Sequence, residues 1–580
     1  MGTISDKLMR IINTKEDIRQ ALISKGYDVP TSIPFKEYAK MILDLPCKVD
    51  SFPDIEGIVT RYSASGLTNE QMAANPVWVD KTGNGHDMQL KNFSWKGMSG
   101  VGGYEMNFNL WRNNVSSIPD ISMSTTTTSV SVSVGNSTYN NNLIYIHISN
   151  WDINKNHWLK VTSTYEDGDL AFIFYNDSNT KKIGLPANGY VNILAYPEFK
   201  GSYMYISTIS NKQGSFTIEQ LPLYPGALVF DGVDDYGVCE NFPILTKEKG
   251  YTVVVLRQWD QDFLNTTLTG GLLSTRNYST GEGVAFEKTE SSNKGYWNLG
   301  AGSIIDFAKS PFTWQTSKQY NNVGILKGDK NHGKPLCVGC GLSGGQQCGR
   351  FAIWELVFLD HDATEEELTK IKDYFVKTYP WLFPDKAWTV TGKTNEDEDR
   401  ATIANITGNG NDLVLSNFGF AEGSGYNEEG EYAGYLVTDG VDDKIISSIF
   451  KMGNDWTVIG DWELINTGKN DNAGIVKFDS IVIYNYNSML INIKNGRNIL
   501  IPDQNTVNAI CSDGRIYSKD WKESIYNEET ESTSKNFLTI GYSGNAYTKI
   551  AFKNLAIYPT VLSREDCIKA YNYLQTLKAK

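Results

Sequence analysis

The chain has 580 residues, 40% of them hydrophobic and 21% charged, with a formal net charge of −14. That length exceeds one core and predicts three to four domains of a globular chain rather than a disordered one. The acidic balance argues against nucleic-acid binding and against docking on an anionic membrane, since both rely on Lys and Arg. No apolar run reaches a membrane span, so no membrane insertion is expected. The first residues, MGTISDKLMRIINTK, show no apolar signal core, and a secretory peptide is not expected. Seven cysteines form an odd, scattered set, which predicts thiols in a reducing cytosol rather than a disulfide framework.

Residues 1–50 read as helical. Leu8, Ile11 and Ile12 recur at helical spacing, Thr14 is a candidate N-cap, and Gly26 a candidate stop. Pro34 opens a further helix in which Phe35, Tyr38, Ile42 and Leu43 share a stripe. From residue 51 the pattern changes to short strands, such as LAFIFYND and YTVVVLRQW, broken by Gly, Asn and Asp turns.

An internal repeat organises this β region. TGNGHDMQLKNF at Thr82 matches TGNGNDLVLSNF at Thr407, and FDGVDDYGV matches TDGVDDKII. AIWELVFLDHDATEEELTKIKDYF matches AFKNLAIYPTVLSREDCIKAYNYL without gaps. Each copy therefore closes with a strand and one capped helix. Thr364 with Glu367 has capping-box spacing, and Ser563 with Asp566 is a shorter version of it. Between TGNG and DGVDD the first copy is longer by roughly one small domain. That extra stretch reads as about seven strands, the size of an immunoglobulin-like sandwich.

The expected division is a helical module at 1–50, a first sandwich at 51–106 plus 223–383, an inserted β-sandwich at 107–222, and a second sandwich at 384–580. The paired DGVDD motifs and the strand-then-capped-helix ends resemble laminin-G-like (concanavalin A-like) jelly-roll domains. With the TGNG segments and the KLMRIINTKEDIRQALISKGYDVP start, the chain also resembles virion proteins of tailed bacteriophages, especially crAss-like gut phages. That resemblance implies a head-fibre or tail-fibre appendage, assembled in the host cytoplasm and carried on the virion. It further implies a homo-oligomer, a trimer in preference to a dimer, attached to other virion proteins and touching host-surface glycan. Leu8, Ile11, Ile12, Phe35, Tyr38, Ile42 and Leu43 would then be docking residues.

Two other classes fit less well: a bacterial surface carbohydrate-binding protein or adhesin, and a virion-associated polysaccharide-degrading enzyme. No HExxH, nucleophile elbow or Ser/His/Asp order stands out, so no catalytic residue and no cofactor is expected. GLSGG at 341–345 leads into a strand rather than a helix. Asp231, Asp234 and Asp235, with Asp439, Asp442 and Asp443, could offer oxygens to calcium, but Asp-Gly turn chemistry explains them more simply. Candidate sugar platforms are Trp259, Tyr278, Tyr296 and Trp297 in the first sandwich and Trp456, Trp462, Tyr484 and Tyr486 in the second.

Overall fold

The structure is a computed structural model describing Lys15 and residues 52–579, apart from short internal segments of which 319–334 is the longest. The expected helices of residues 1–50 and their seven docking residues lie outside the described residues. Ile55–Lys580 forms one compact unit and is mostly β, built of sandwiches in which sheets pack face to face.

Each sequence copy is organised by one long central strand rich in β-branched and aromatic residues. In the first copy Arg350–Leu359 pairs with Thr252–Trp259 on one side, and with Ile58–Ser63 and Leu228–Asp231 on the other. In the second, Ile550–Tyr558 pairs with Thr457–Leu464 on one side, and with Lys386–Thr389 and Leu436–Val437 on the other. The register even slips at the matching place, between Leu256 and Arg257 and between Asp461 and Trp462. A second sheet faces each of these, and the apolar residues between them form the two main cores.

The two closing helices follow the capping signals. Thr364 Oγ1 accepts from the Glu367 N–H at 3.3 Å while Glu367 Oε2 accepts from the Thr364 N–H at 2.8 Å, opening Glu365–Thr378. Before Arg564–Gln575, Ser563 Oγ accepts from the Asp566 N–H, but the Asp566 carboxylate takes the Ser563 hydroxyl. Leu368, Ile371 and Phe375 are buried on one helix, and Cys567, Ala570 and Leu574 on the other. The second helix is also where the parts meet. Tyr571 packs edge-on against Trp158 at 4.8 Å, Tyr573 against Trp354 at 6.2 Å, and Gln258 donates to Thr576 Oγ1 at 2.9 Å.

Between the matching segments of the first copy lie two antiparallel five-stranded sheets. One runs Thr180–Leu185, Leu170–Tyr175, Tyr203–Thr208, Asn142–His147, Arg112–Asn113. The other runs Asn188–Ile193, His157–Ser163, Gly214–Gln220, Ser129–Val134, Ile121–Thr125. They enclose a separate core containing Trp111, Leu143, Leu159, Phe172 and Phe216. The three strands beyond the seven expected are ISMST, TKKIGL and a two-residue edge, each with at most two large apolar residues.

One buried ion pair distinguishes the copies. Arg61 meets Glu355 with two hydrogen bonds, 3.1 and 3.2 Å, and the Tyr379 hydroxyl donates to Glu355 at 2.7 Å. The matching register positions of the second copy hold Ala387 and Asn554. Removing one member of such a pair strands a buried charge. Glu355→Ala is expected to cost about 3–5 kcal/mol in urea denaturation. Arg61→Ala with Glu355→Asn, which copies the second sandwich, should recover much of that loss. A single-variant loss below about 1 kcal/mol would contradict this reading of the pair.

Candidate functional site

The acidic corners were the first candidates. In the first copy Asp231 Oδ1 accepts from the Val233 N–H at 2.7 Å, and Gly232 sits at φ +77°, a left-handed turn position. Asp235 Oδ2 accepts from the Asp231 N–H at 3.0 Å and its Oδ1 from the Ser99 hydroxyl at 2.9 Å. The second copy repeats every bond. Val441 N–H to Asp439 is 2.7 Å, Asp439 N–H to Asp443 is 2.7 Å, and Ser424 hydroxyl to Asp443 is 3.1 Å. Asn92 and Asn417, both at positive φ, reach the backbone oxygens of Asp234 and Asp442. The carboxylates of each trio lie within 4.8 Å of one another, yet both oxygens of buried Asp235 and Asp443 already have protein donors. Each motif is a turn that pins the Ser-Gly segment to the DGVDD loop.

Crowding there has a measurable consequence. Burial, then the Asp231 charge, pushes the Asp235 carboxyl up to about 7, and burial pushes Asp443 up to about 6. A raised carboxyl pKa adds stability that is fullest below the ordinary aspartate range and declines as pH climbs through the folded values. Asp235→Asn with Asp443→Asn carries neutral amides at every pH. The urea midpoint of the native chain, relative to this variant, is expected to fall between pH 5 and pH 8. A constant gap across that range would contradict the account.

Three of the four tryptophans proposed as sugar platforms are core residues. Trp259, Trp456 and Trp462 are 1%, 3% and 1% exposed. The reason is the position of their strands: Thr252–Trp259 is buried at all eight residues, so neither face is open. Trp462 belongs to Thr457–Leu464, which holds the same central place in the second copy, and Trp456 directly precedes it. Tyr296 and Trp297 sit on the strand Lys294–Trp297 and Tyr484 on Ile481–Asn485. Tyr278 and Tyr486 lie outside the described residues.

The cysteine expectation also needs correction. Cys340 and Cys348 form a disulfide across a hairpin whose strands pair Cys340 with Cys348 and Leu342 with Gln346. Residues 343–345 of the GLSGG segment lie outside the described residues; the strand Gln346–Cys348 that follows them pairs back onto Cys340–Leu342, and no helix follows. Cys337 stays a buried thiol beside it, pushed up to about 12 by burial.

Among the described residues, an exposed aromatic surface lies on the outer face of the inserted sheet. Tyr203 and Tyr205, two residues apart on one strand, point the same way. Tyr205 is the register partner of Tyr145, and Tyr203 that of Tyr175, so all four share one face. The ring centroids of Tyr145 and Tyr203 are 5.7 Å apart, of Tyr145 and Tyr205 6.1 Å, and of Tyr203 and Tyr205 6.2 Å. Tyr175 and Tyr203 are 49% and 41% exposed, the two highest values among the large exposed aromatics described. Burial, then the three neighbouring tyrosines, raises the Tyr205 pKa, as expected of phenols crowded into one patch. The signal available in the sequence was the alternation YMYIST beside NLIYIHI and LAFIFY. It named the strands but not which face was open.

By comparison, a 410 Å³ cleft of the second sandwich is lined by Asn395, Tyr426, Asn427, Glu428 and Glu429. There the Asn395 amide is committed on both sides to the Tyr426 backbone, holding the loop rather than facing a ligand.

No protein-family model and no curated protein matches this chain. Among solved structures it is similar to a Trypanosoma rangeli sialidase in complex with sialic acid, at 9% identity and TM-score 0.24, covering 79% of this chain and 85% of that one. It is also similar to the receptor binding domain of botulinum neurotoxin D, at 12% identity and TM-score 0.23, covering 58% and 89%. A botulinum neurotoxin serotype D binding domain gives 13% identity, TM-score 0.24, 59% and 89%. At such TM-scores nothing about this chain's site follows from them. The chain itself defines a mostly β protein of tandem sandwiches with an exposed tyrosine face.

Proposed function

We propose that this chain is a non-enzymatic, glycan-binding structural protein, an appendage of a tailed-phage particle. The observation that carries the binding half is the tyrosine face. A tyrosine ring offers a flat apolar surface and a hydroxyl, a combination that suits a sugar ring with its C–H and O–H faces. Tyrosine also loses little conformational entropy when it is immobilised. Four such rings on a rigid sheet form a prearranged surface, and many copies on one particle would multiply a weak single contact.

The particle half rests on the sequence resemblance. In this reading residues 1–50 attach the chain to other virion proteins, the sandwiches project outward, and the protein works as a homo-oligomer.

Two experiments test these halves separately. Tyr203→Ala with Tyr205→Ala should weaken binding of the purified full chain to host-surface polysaccharide by at least about tenfold, a loss of about 1.4 kcal/mol. Its melting temperature should stay near the native value, because both rings lie on an outer face. Undiminished binding would overturn the site. For the particle half, a chain lacking residues 1–45 should fold but fail to join particles. Normal copy number in virions would place attachment elsewhere.

A further inference from the structure

The tyrosine face also carries a charge pattern that narrows its ligand. The register places Arg112 beside Tyr145, Tyr145 beside Tyr205, Tyr205 beside Ile173, and Ile173 beside Lys182. Residues paired across antiparallel strands share a face, so these five form one row crossing every strand of the sheet. Four inter-strand steps make that row about 19 Å long. Its two ends are cationic and exposed, and its middle is aromatic and apolar.

The same five strands contain Arg112, Lys181 and Lys182 and no Asp or Glu. This happens in a chain with 67 acidic against 53 basic residues. One described acidic pair beside these strands does not cancel the pattern. Glu166 and Asp169 precede Leu170, at the opposite end of that strand from Tyr175, and are already paired with Lys212 at 2.6 and 3.0 Å.

We infer that this row is the binding site of an anionic polysaccharide, laid across the strands with its sugar rings on Tyr145 and Tyr205. Lys182 meets acidic groups at one end of the row and Arg112 at the other. The inference rests on the glycan-binding reading of the same face and adds the class of glycan. Lys182 is the sharper probe, because Arg112 also donates to the backbone oxygens of Asn109 and Trp111. Aromatic rings with nearby cations also suit single-stranded nucleic acid. Nucleic-acid affinity, however, is dominated by many phosphate–cation contacts, whereas this row offers two cations flanking a stacking surface on a protein of net charge −14, so the polysaccharide is favoured and nucleic acid is the competing outcome of the test.

The test uses the purified full chain and three probes: polygalacturonate, neutral dextran and oligo-dT, in affinity electrophoresis at low and high salt. The expected result is retention by polygalacturonate, weakened by salt, and weakened at least about tenfold by Lys182→Glu, with little retention by dextran. Arg112→Gln should weaken it less. Equal binding of dextran, or polygalacturonate binding indifferent to salt and to Lys182→Glu, would overturn the anionic assignment. The face itself would then survive only if Tyr203→Ala still abolished dextran binding. Tightest binding to oligo-dT would overturn both readings. A melting temperature unchanged in Lys182→Glu excludes unfolding as the cause of any loss.

Discussion

The fold depends on a strand that must be satisfied on both edges and covered on both faces. Arg350–Leu359 is buried at nine of its ten positions, and Ile550–Tyr558 at eight of its nine. A strand so placed cannot leave backbone N–H or C=O groups unpaired away from water, so partners on each side are obligatory. Those partners are supplied by segments far apart in sequence: the opening strand, the strand before DGVDD, and the strand entering Val255 or Ile459. The turns that bring them together are therefore under strict geometric demand. This is where the shared pattern of the internal repeat is used, in Ser99 to Asp235 and again in Ser424 to Asp443.

The same constraint explains why an entire β-sandwich can interrupt the first copy. The segment after the Ser-Gly strand returns through Leu223 and Tyr224, whose N–H groups bond the oxygens of Gly103 and Gly102. Entry and exit are thus held side by side, and the insert builds its own core from its own ten strands. Trp158 then anchors it against the closing helix of the second copy, through Tyr571. The outer sheet of the insert is left to face solvent, where the tyrosines are displayed.

Much of this was legible in the sequence, and the failures have physical causes. The repeat, the capping box at Thr364 and the turn character of DGVDD all follow from local chemistry that tertiary context did not override. Trp259 and Trp462 turned out buried because alternation names two faces, while a central strand of a sandwich has no open one. The pairing of Cys340 with Cys348 was not predicted because an odd cysteine count hides a single local pair, and only the hairpin register brings them together. The tyrosine face escaped because strands such as NLIYIHI and SYMYIST show their alternation without showing which side packs inward. That choice is made by Phe172, Phe174, Met204 and Ile206, which fill the core of the insert and turn Tyr175, Tyr203 and Tyr205 outward.

The central claim is that ligand binds on this outer face and not in a cleft of either jelly roll. The most direct measurement is a structure of the full chain with an acidic oligosaccharide bound. The account predicts sugar density stacked on Tyr145, Tyr203 and Tyr205, with a carboxylate or other acidic group beside Lys182. Density in the cleft lined by Asn395 and Glu428, or against the DGVDD corners, with the tyrosine face bare, would contradict it.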